Sequence, residues 1–338
     1  MENPNSVTEW HNADELVQNY SPKSTFDRIA MSRTIFAATM ALLWLFAAAG
    51  RAQSEPATNA PRLIIRTDDI GFCHGANMAF KRIADLGMVS SVSVIVNSPW
   101  LDEAVEILKQ HPEISVGVHL ALNSEWKEFK WGPVSRMDQV PSLVDPFGKF
   151  YGTRKEFFSH RPKVEEVAKE LRAQIELAKR KGLPISYIDN HMSTAISTLE
   201  FQQEMERLAQ EYHIGISRYF GEREIPNVYA TPPAEKLSQA LSNLDTITNF
   251  GLYLLVCHVG TDYPEMQAMT DLNSVGPGNM SKHRQAEADV LCSPEYKAAL
   301  QAKGIRLIGY KEVLANGKMR RPFVSDKYAD VVQQALGK

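Results

Sequence analysis

The chain has 338 residues, of which 44% are hydrophobic and 23% are charged. These proportions are typical of a soluble globular protein with enough apolar material for one large domain or two ordinary ones. The 37 basic and 40 acidic residues give a formal net charge of −3 at pH 7, so there is no basic excess of the kind that indicates a nucleic-acid partner.

The first predicted element is a signal peptide over residues 31–52. Arg33 precedes an apolar run over residues 35–49, and small residues lead up to an expected cleavage site after Ala52. The run of about 15 residues is short for a transmembrane helix, which needs roughly 20. We therefore expect export to the periplasm or the extracellular space, with no stable membrane span after cleavage. An uncleaved N-terminal anchor is the alternative.

Residues 1–30 are polar and show no clear periodicity. A signal peptide should begin at its own Met. We therefore expect that Met31 is the true start and that residues 1–30 are a non-native extension.

From residue 60 onward, short β-branched runs alternate with helix-like stretches. The strand-like runs cover residues 62–67, 89–96, 114–122, 185–190, 214–220, 252–259 and 305–310. The helix-like stretches cover residues 74–86, 99–110, 162–181, 196–212, 233–248 and 281–302. This alternation predicts a parallel sheet, either doubly wound or closed as a barrel. About seven strand–helix units favour a TIM-like (β/α) barrel, incomplete, as a single α/β domain over residues 60–338.

One segment, residues 123–161, interrupts the alternation and is rich in Trp, Phe, Pro and Gly. A loop of that length inside a barrel is usually functional. Its aromatic side chains, above all Trp126 and Trp131, could form a wall that stacks on sugar rings. The alternative is a self-packed loop with a small aromatic core of its own.

Side chains able to bind a metal or transfer a proton stand at the ends of four predicted strands: Asp68 and Asp69, His119, Asp189 and His191, and His258. The carboxyl ends of the strands of a parallel barrel open on one face, and that face carries the active site. A single His in an apolar strand is more often an ordinary core residue. Convergence from four strands instead predicts a metal centre at the mouth of the barrel.

The motifs "TDDIGFCHGAN", "VGVHLAL", "YIDNHMS" and "SKHRQAEADVLCSPEYKAALQAKGIRLIGYKEV" follow one another along the chain. In this order the chain resembles the YdjC-like (ChbG-type) carbohydrate deacetylase family over nearly all of the expected mature domain. The resemblance implies a deformed TIM-like barrel. It also implies a metal-dependent hydrolase of linear amide C–N bonds, which removes acetyl groups from N-acetylated amino sugars in small oligosaccharides.

The resemblance also implies roles for individual residues. One divalent metal ion would be bound by Asp69, His119 and His191, with Zn or Mg favoured and Mn or Co also compatible with these donors. A metal-bound water would attack the amide, with Asp68 as general base and His258 as general acid.

Three positions depart from the usual pattern of the family. Ser193 stands where the family usually has a second His, Val259 where it usually has Pro, and Ile70 where Phe is common. Arg218, at the end of the fifth predicted strand, is expected to orient Asp68 or to bind substrate, unless it is a plain cation at a strand end.

Three other classes of function remain open from the residues. One is a metal-dependent phosphodiesterase, which usually has more basic or second-metal residues near the mouth than this sequence shows. A glycoside hydrolase would pair Asp68 with Asp189 or Glu125, but it would leave the converging histidines unexplained. A non-catalytic sugar-binding relative would keep the fold without turnover. The oligomeric state, including a homodimer, is left open.

Overall fold

A computed structural model describes residues 60–273 and 276–321. The expected signal peptide and the expected non-native extension lie outside the described residues. Within those two ranges, no helix combines the length and the hydropathy needed to cross a membrane.

The described residues contain eight strands in one sheet, and every strand pairing is parallel. The strands are β1 (Arg62–Ile70), β2 (Ser91–Val94), β3 (Ser115–Leu120), β4 (Ile185–Asn190), β5 (Gly215–Ile216), β6 (Arg223–Glu224), β7 (Leu252–Cys257) and β8 (Arg306–Leu307). Their order is β5-β4-β3-β2-β1-β7-β6, and β8 pairs with the first two residues of β1. Within the described residues no pairing joins β5 to β6, so the barrel is open there. The predicted TIM-like, incomplete barrel is confirmed.

Three strands differ from the sequence-based prediction. The last predicted strand, residues 305–310, is shortened to β8, because a helix begins at Tyr310. The fifth predicted strand, residues 214–220, is shortened to β5 because the backbone turns at Arg218 with a φ of 72°. The two-residue strand β6 has no hydrophobic pattern of its own and was not predicted.

Helices follow most strands. They are α1 (His74–Asp85), α2 (Leu101–Lys109), α3 (Arg154–Ser159), α4 (Val164–Arg180), α5 (Leu199–Tyr212), α6 (Lys236–Asn243), α7 (Pro264–Gln267), α8 (Met280–Cys292), α9 (Pro294–Ala302) and α10 (Tyr310–Asn316). The apolar faces of most of them pack in the larger hydrophobic core, whereas α10 contributes Tyr310 and Val313 to a smaller one. In α1, for example, Phe80 and Ile83 lie three residues apart and are both fully buried, as expected for an amphipathic helix.

The interior of the barrel is apolar at one end and polar at the other. Ile64, Leu254 and Tyr187 belong to a second, smaller core that also contains Tyr310, the first residue of α10. The rings of Tyr187 and Tyr310 lie 4.2 Å apart. Gly117 makes room for them, because a Cβ atom there would lie 2.3 Å from the Tyr187 ring. The polar side chains are left at the carboxyl ends of the strands.

The segment over residues 123–161 is anchored to the loop that follows β7. Trp126 forms an antiparallel bridge with Asp271, and the backbone N–H of Leu272 donates to the carbonyl of Glu125 over 2.9 Å. Two loops from opposite sides of β1 therefore meet at the carboxyl end of the barrel.

Candidate metal centre and active site

Asp68 and Asp69, the adjacent carboxylates at the end of β1, both lie at the barrel mouth because the strand is irregular there. In a regular strand, neighbouring side chains alternate between the two faces of the sheet. Here the register between β1 and β2 shifts between Thr67 and Ile70, and Asp69 has a φ of 66°. This left-handed conformation is uncommon for a residue other than Gly, although Asp tolerates it better than most. It brings Asp69 next to Asp68 at the barrel mouth.

Three side chains converge in the geometry of a metal centre. Asp69 Oδ1 lies 3.3 Å from His119 Nε2 and 3.3 Å from His191 Nδ1. Two ligand atoms that each lie about 2.0–2.1 Å from one tetrahedral zinc ion are about 3.3 Å apart. All three side chains are buried, and Asp69 Oδ1 has no hydrogen-bond partner among the described residues. The three donors therefore fit one divalent ion.

Each imidazole is held from behind by a second carboxylate. His119 Nδ1 lies 2.9 Å from Asp189 Oδ1, and His191 Nε2 lies 2.8 Å from Glu125 Oε2. An imidazole N–H that donates to a carboxylate leaves the other ring nitrogen free to face a metal, as in many metalloenzymes. The hydrogen bond to Asp189 therefore leaves Nε2 of His119 facing Asp69. The hydrogen bond to Glu125 likewise leaves Nδ1 of His191 facing Asp69.

The charges of the buried side chains also favour binding of a cation. The buried charged side chains of the centre are four carboxylates and two guanidiniums: Asp68, Asp69, Glu125, Asp189, Arg66 and Arg284. With all of them ionised, two negative charges remain. Burial opposes charge on the imidazoles, but Asp189 and Asp68 raise the pKa of His119 to about 10, and Glu125 and Asp69 raise the pKa of His191 to about 9. Two imidazolium protons or one divalent ion would balance the centre.

Arg66 holds Asp68. Its Nε and Nη2 donate to the two oxygens of Asp68, each over 2.7 Å, and its Nη2 lies 3.1 Å from Asp189. The Arg218 guanidinium pairs with Glu224, so Arg66 is the guanidinium seen to bind Asp68, and substrate binding by Arg218 stays a prediction. Arg66 occupies the inward position two residues before Asp68 on the same strand, whereas the turn at Arg218 carries its side chain away.

Arg284 on α8 binds Asp69, the one carboxylate among the three metal-facing side chains. Its Nη2 donates to Asp69 Oδ2 over 2.7 Å, so Oδ1 alone is left to face the two imidazoles. The guanidinium lies 5.0 Å from the Phe72 ring centroid and 5.5 Å from that of Trp126. Although burial opposes ionisation, Arg284 and the two imidazoles hold the pKa of Asp69 well below its usual range.

His258 follows β7 directly. Thr67 pairs with Cys257 as the last pair of the β1–β7 register, so Asp68 and His258 each come directly after that pair at the carboxyl ends of adjacent strands. The backbone N–H of His258 donates to Glu287 over 2.8 Å, and His258 Nδ1 is buried with no hydrogen-bond partner among the described residues.

A buried ion pair supports the His258 backbone. Glu287 Oε1 lies 3.3 Å from Lys236 Nζ, which also donates to the carbonyl of Tyr229 over 2.9 Å. The Tyr229 ring packs edge-on against the His258 ring at 5.1 Å. Burial lowers the pKa of Lys236. Lys236 and Glu287 therefore restrain the imidazole through its backbone and through the ring beside it.

The two tryptophans expected to contact sugar are both buried. Trp126 is 2% exposed and stacks on Phe72 at 5.7 Å, and Trp131 is 3% exposed with its ring 5.8 Å from that of His191. Both rings pack in the main hydrophobic core, so the structure shows neither an open wall at these two rings nor a loop with a separate core of its own. Trp131 remains next to a metal-facing imidazole.

The sequence model of the family described as "YdjC-like protein" matches residues 62–302. This range contains every residue of the metal centre. The chain belongs to the YdjC-like family.

Similar proteins support the assignment of the chain to this family. A carbohydrate deacetylase from Brevibacillus brevis is 29% identical over 261 residues, which cover 75% of this chain and 99% of that protein. A carbohydrate deacetylase from Listeria monocytogenes is 28% identical over 263 residues, with 75% and 100% coverage. A crystal structure from Enterococcus faecalis V583, assigned as a candidate cellobiose-phosphate cleavage protein, superimposes with a TM-score of 0.64 at 24% identity. It covers 75% of this chain and 99% of its own. That structure supports the YdjC-like fold.

The YdjC-like match confirms the resemblance drawn from the sequence motifs. The supporting residues of this YdjC-like centre, among them Arg66, Glu125 and Arg284, were not predicted in their structural roles. A charged residue inside an otherwise apolar strand was the available signal for Arg66, since such a residue is seldom buried without a partner.

Proposed function

We propose that this protein is a metal-dependent carbohydrate deacetylase that removes acetyl groups from N-acetylated amino sugars in small oligosaccharides. The observation that carries the proposal is the cluster of Asp69, His119 and His191, with both imidazoles backed by carboxylates. The names of the similar proteins from Brevibacillus and Listeria support the reaction class.

Asp69, His119 and His191 would hold one divalent ion. Two imidazoles and one carboxylate suit Zn best, and Mg, Mn or Co would also be tested as the bound ion. Such an ion would act as a Lewis acid that polarises the acetyl carbonyl and acidifies water.

Asp68 would act as the general base. It accepts a proton from the water molecule that attacks the carbonyl carbon, so the new C–O bond forms as the proton leaves. Arg66 contributes by orientation, because its two N–H groups bind both oxygens of Asp68 and fix the plane of the carboxylate.

His258 would act as the general acid. The C–N bond can break once the amide nitrogen is protonated, and His258 supplies that proton to the leaving amine. The register of β1 with β7 supports this role, because Asp68 and His258 each follow the last paired residue of their strands, Thr67 and Cys257. The contact of Glu287 with the His258 backbone limits the orientations that the imidazole can take.

The glycoside hydrolase alternative is disfavoured by the partners of its carboxylates. Asp189 binds His119, Ser93 and Arg66, and Glu125 binds His191. Neither carboxylate is free to protonate a glycosidic oxygen or to act as a nucleophile.

We also propose that the protein is exported, on the strength of the signal-peptide pattern over residues 31–52. Mass spectrometry of the N-terminus of the native protein would test this. A mature N-terminus at residue 53 supports export, and recovery of peptides from residues 1–30 contradicts both the cleavage and the start at Met31.

Acetate release from di-N-acetylchitobiose tests the enzymatic proposal. The reaction should stop when a chelator removes the metal and return when Zn, Mg, Mn or Co is restored. Asp69→Ala should abolish both metal binding and acetate release. Asp138→Ala, at an exposed Asp in segment 123–161, is the control and should retain both. Acetate release that persists without bound metal would contradict the proposal.

A further inference from the structure

A row of three partly exposed rings lies at the mouth of the barrel. Trp100 is 36% exposed and Tyr263 is 40% exposed, and the ring of His74 lies between them. The ring centroids of His74 and Trp100 are 5.1 Å apart, and those of His74 and Tyr263 are 6.0 Å apart with an interplanar angle of 19°. We call Trp100, His74 and Tyr263 the aromatic row.

The aromatic row belongs to the face that carries the metal centre. His74 follows β1, Trp100 follows β2 and Tyr263 follows β7, so all three come after the carboxyl ends of adjacent strands. Five residues separate His74 from Asp69, so the two Cα atoms are at most about 18 Å apart. The backbone N–H of Trp100 also donates to the carbonyl of Gly71, two residues after Asp69, over 2.9 Å.

Buried and partly buried hydrogen bonds hold the aromatic row in place. Glu103 lies 2.8 Å from His74 Nδ1 and accepts from Asn77 Nδ2 over 2.9 Å. Asn77 is fully buried, donates to the carbonyl of Trp100 over 3.0 Å and accepts from the backbone N–H of Gly71 over 2.8 Å. One buried amide thus ties the first two rings to the loop that carries Asp69.

The third ring is tied to the same loop. The backbone N–H of Thr261 donates to the carbonyl of Gly75 over 3.0 Å, and the backbone N–H of Gly75 donates to Glu265 over 3.2 Å. Tyr263 lies between Thr261 and Glu265 in the chain. Rigid aromatic rings bind ligands with little loss of conformational entropy, so a row fixed in this way is suited to binding.

We propose that the aromatic row is a binding site for the pyranose rings of an amino-sugar oligosaccharide, beyond the sugar unit at the metal centre. Pyranose rings present apolar C–H faces that pack on aromatic rings. Glu103 and Glu265 flank the row with carboxylates that suit hydroxyl, amide or ammonium donors of such sugars. The proposal rests on the proposed function for its ligand class. It assigns to Trp100 and Tyr263 the sugar contact that the buried Trp126 and Trp131 do not offer.

The test is calorimetric binding of the glucosamine trimer, which carries no acetyl group and is not consumed. The full chain, Trp100→Ala and Tyr263→Ala would be compared with Phe250→Ala. Phe250 is 64% exposed and precedes β7, at the opposite end of the barrel. We expect each of the first two variants to bind about three- to tenfold more weakly, and Phe250→Ala to bind like the wild type.

Conservative variants distinguish loss of an aromatic face from misfolding of the protein. Trp100→Phe and Tyr263→Phe keep an aromatic face and should recover most of the affinity. With tri-N-acetylchitotriose as substrate, Trp100→Ala should raise KM by the same factor and leave kcat within about twofold, because the row lies outside the reacting centre.

Binding and acetate release separate the two proposals. Loss of trimer binding in both alanine variants supports the aromatic row even if the wild type releases no acetate, in which case only the reaction is wrong. Normal trimer binding in both variants, or no binding by the wild type, overturns the inference even if acetate is released. A change from dimer to monomer in Trp100→Ala with unchanged trimer affinity also overturns it, since the occupant would then be a second copy of the chain.

Discussion

Metal uptake by the metal-free protein should release about two protons at pH 7. His119 and His191 have pKa values of about 10 and about 9 when no ion is present, because Asp189, Asp68, Glu125 and Asp69 outweigh the effect of burial. At pH 7 both rings are therefore almost completely protonated. A ring nitrogen must lose its proton before it can bind a metal, so each ring contributes one proton.

The pH dependence of metal affinity follows from the same two values. Between pH 7 and pH 9 the apparent association constant should rise by about 100-fold per pH unit, since two protons are displaced. The slope should fall to about tenfold per unit between the two pKa values and vanish above both. Unperturbed imidazoles, with a pKa near 6.5, would give almost no slope over this range.

Titration calorimetry with Zn at pH 7, in buffers of different ionisation enthalpy, measures the number of protons released. Glu125→Gln removes a carboxylate that raises the pKa of His191, so it should release fewer protons than the wild type at pH 8. Glu128→Gln, at an exposed Glu in the same segment, should not differ from the wild type. Release of less than one proton by the wild type at pH 7 would refute the charge-balance reasoning.

The same shifts set the stability of the metal-free protein. Since the folded-state pKa values of both rings are raised, their contribution to stability is fully present below the unfolded value near 6.5 and is lost as the pH rises through about 9 and 10. Thermal unfolding of chelator-treated protein should therefore show a falling Tm from pH 7 to pH 10. Metal-loaded protein should lack this loss, and an equal fall in both forms would contradict the assignment.

Three substitutions test other parts of the molecule. Asp68→Asn should keep bound metal by elemental analysis but lower kcat by about 10²–10⁴-fold, and near-normal turnover would remove its role as base. Glu287→Gln should lower kcat by about tenfold and shift the limb of the pH–rate profile that belongs to His258, while an unchanged profile would limit Glu287 to a structural role. Gly117→Ala should lower the free energy of unfolding by about 1–3 kcal/mol through its clash with the Tyr187 ring, and unchanged denaturant unfolding would show that the ring can move aside.

The burial of the aromatic rings in segment 123–161 could not be predicted from the sequence. Trp126 and Trp131 have the residue type of a sugar contact, but local sequence does not say which aromatic faces will be covered. In the structure Phe72 and Arg284 cover Trp126, and both come from distant parts of the chain. The rings that remain exposed at the mouth, Trp100 and Tyr263, lie in short loops with no hydrophobic pattern to set them apart.

The partners of the buried charged side chains could not be predicted from local sequence either. Arg218 and Arg66 are both cations near strand ends, and only the backbone turn at Arg218 separates their roles. Arg284 meets Asp69 across 215 residues of sequence, and Glu125 meets His191 across 66. Contacts of that range depend on helix and loop packing, which no local pattern encodes.

By itself, the sequence determined the strand–helix alternation and therefore the barrel. It also determined that Asp68, Asp69, His119, His191 and His258 would share one mouth, because parallel strands all end on the same side. The tertiary structure alone decided which atom of each imidazole faces Asp69, which guanidinium holds each carboxylate and which aromatic rings stay exposed. The physical reason is that periodicity assigns a residue to a face of its own strand or helix, whereas partners and burial arise only when separate elements pack together.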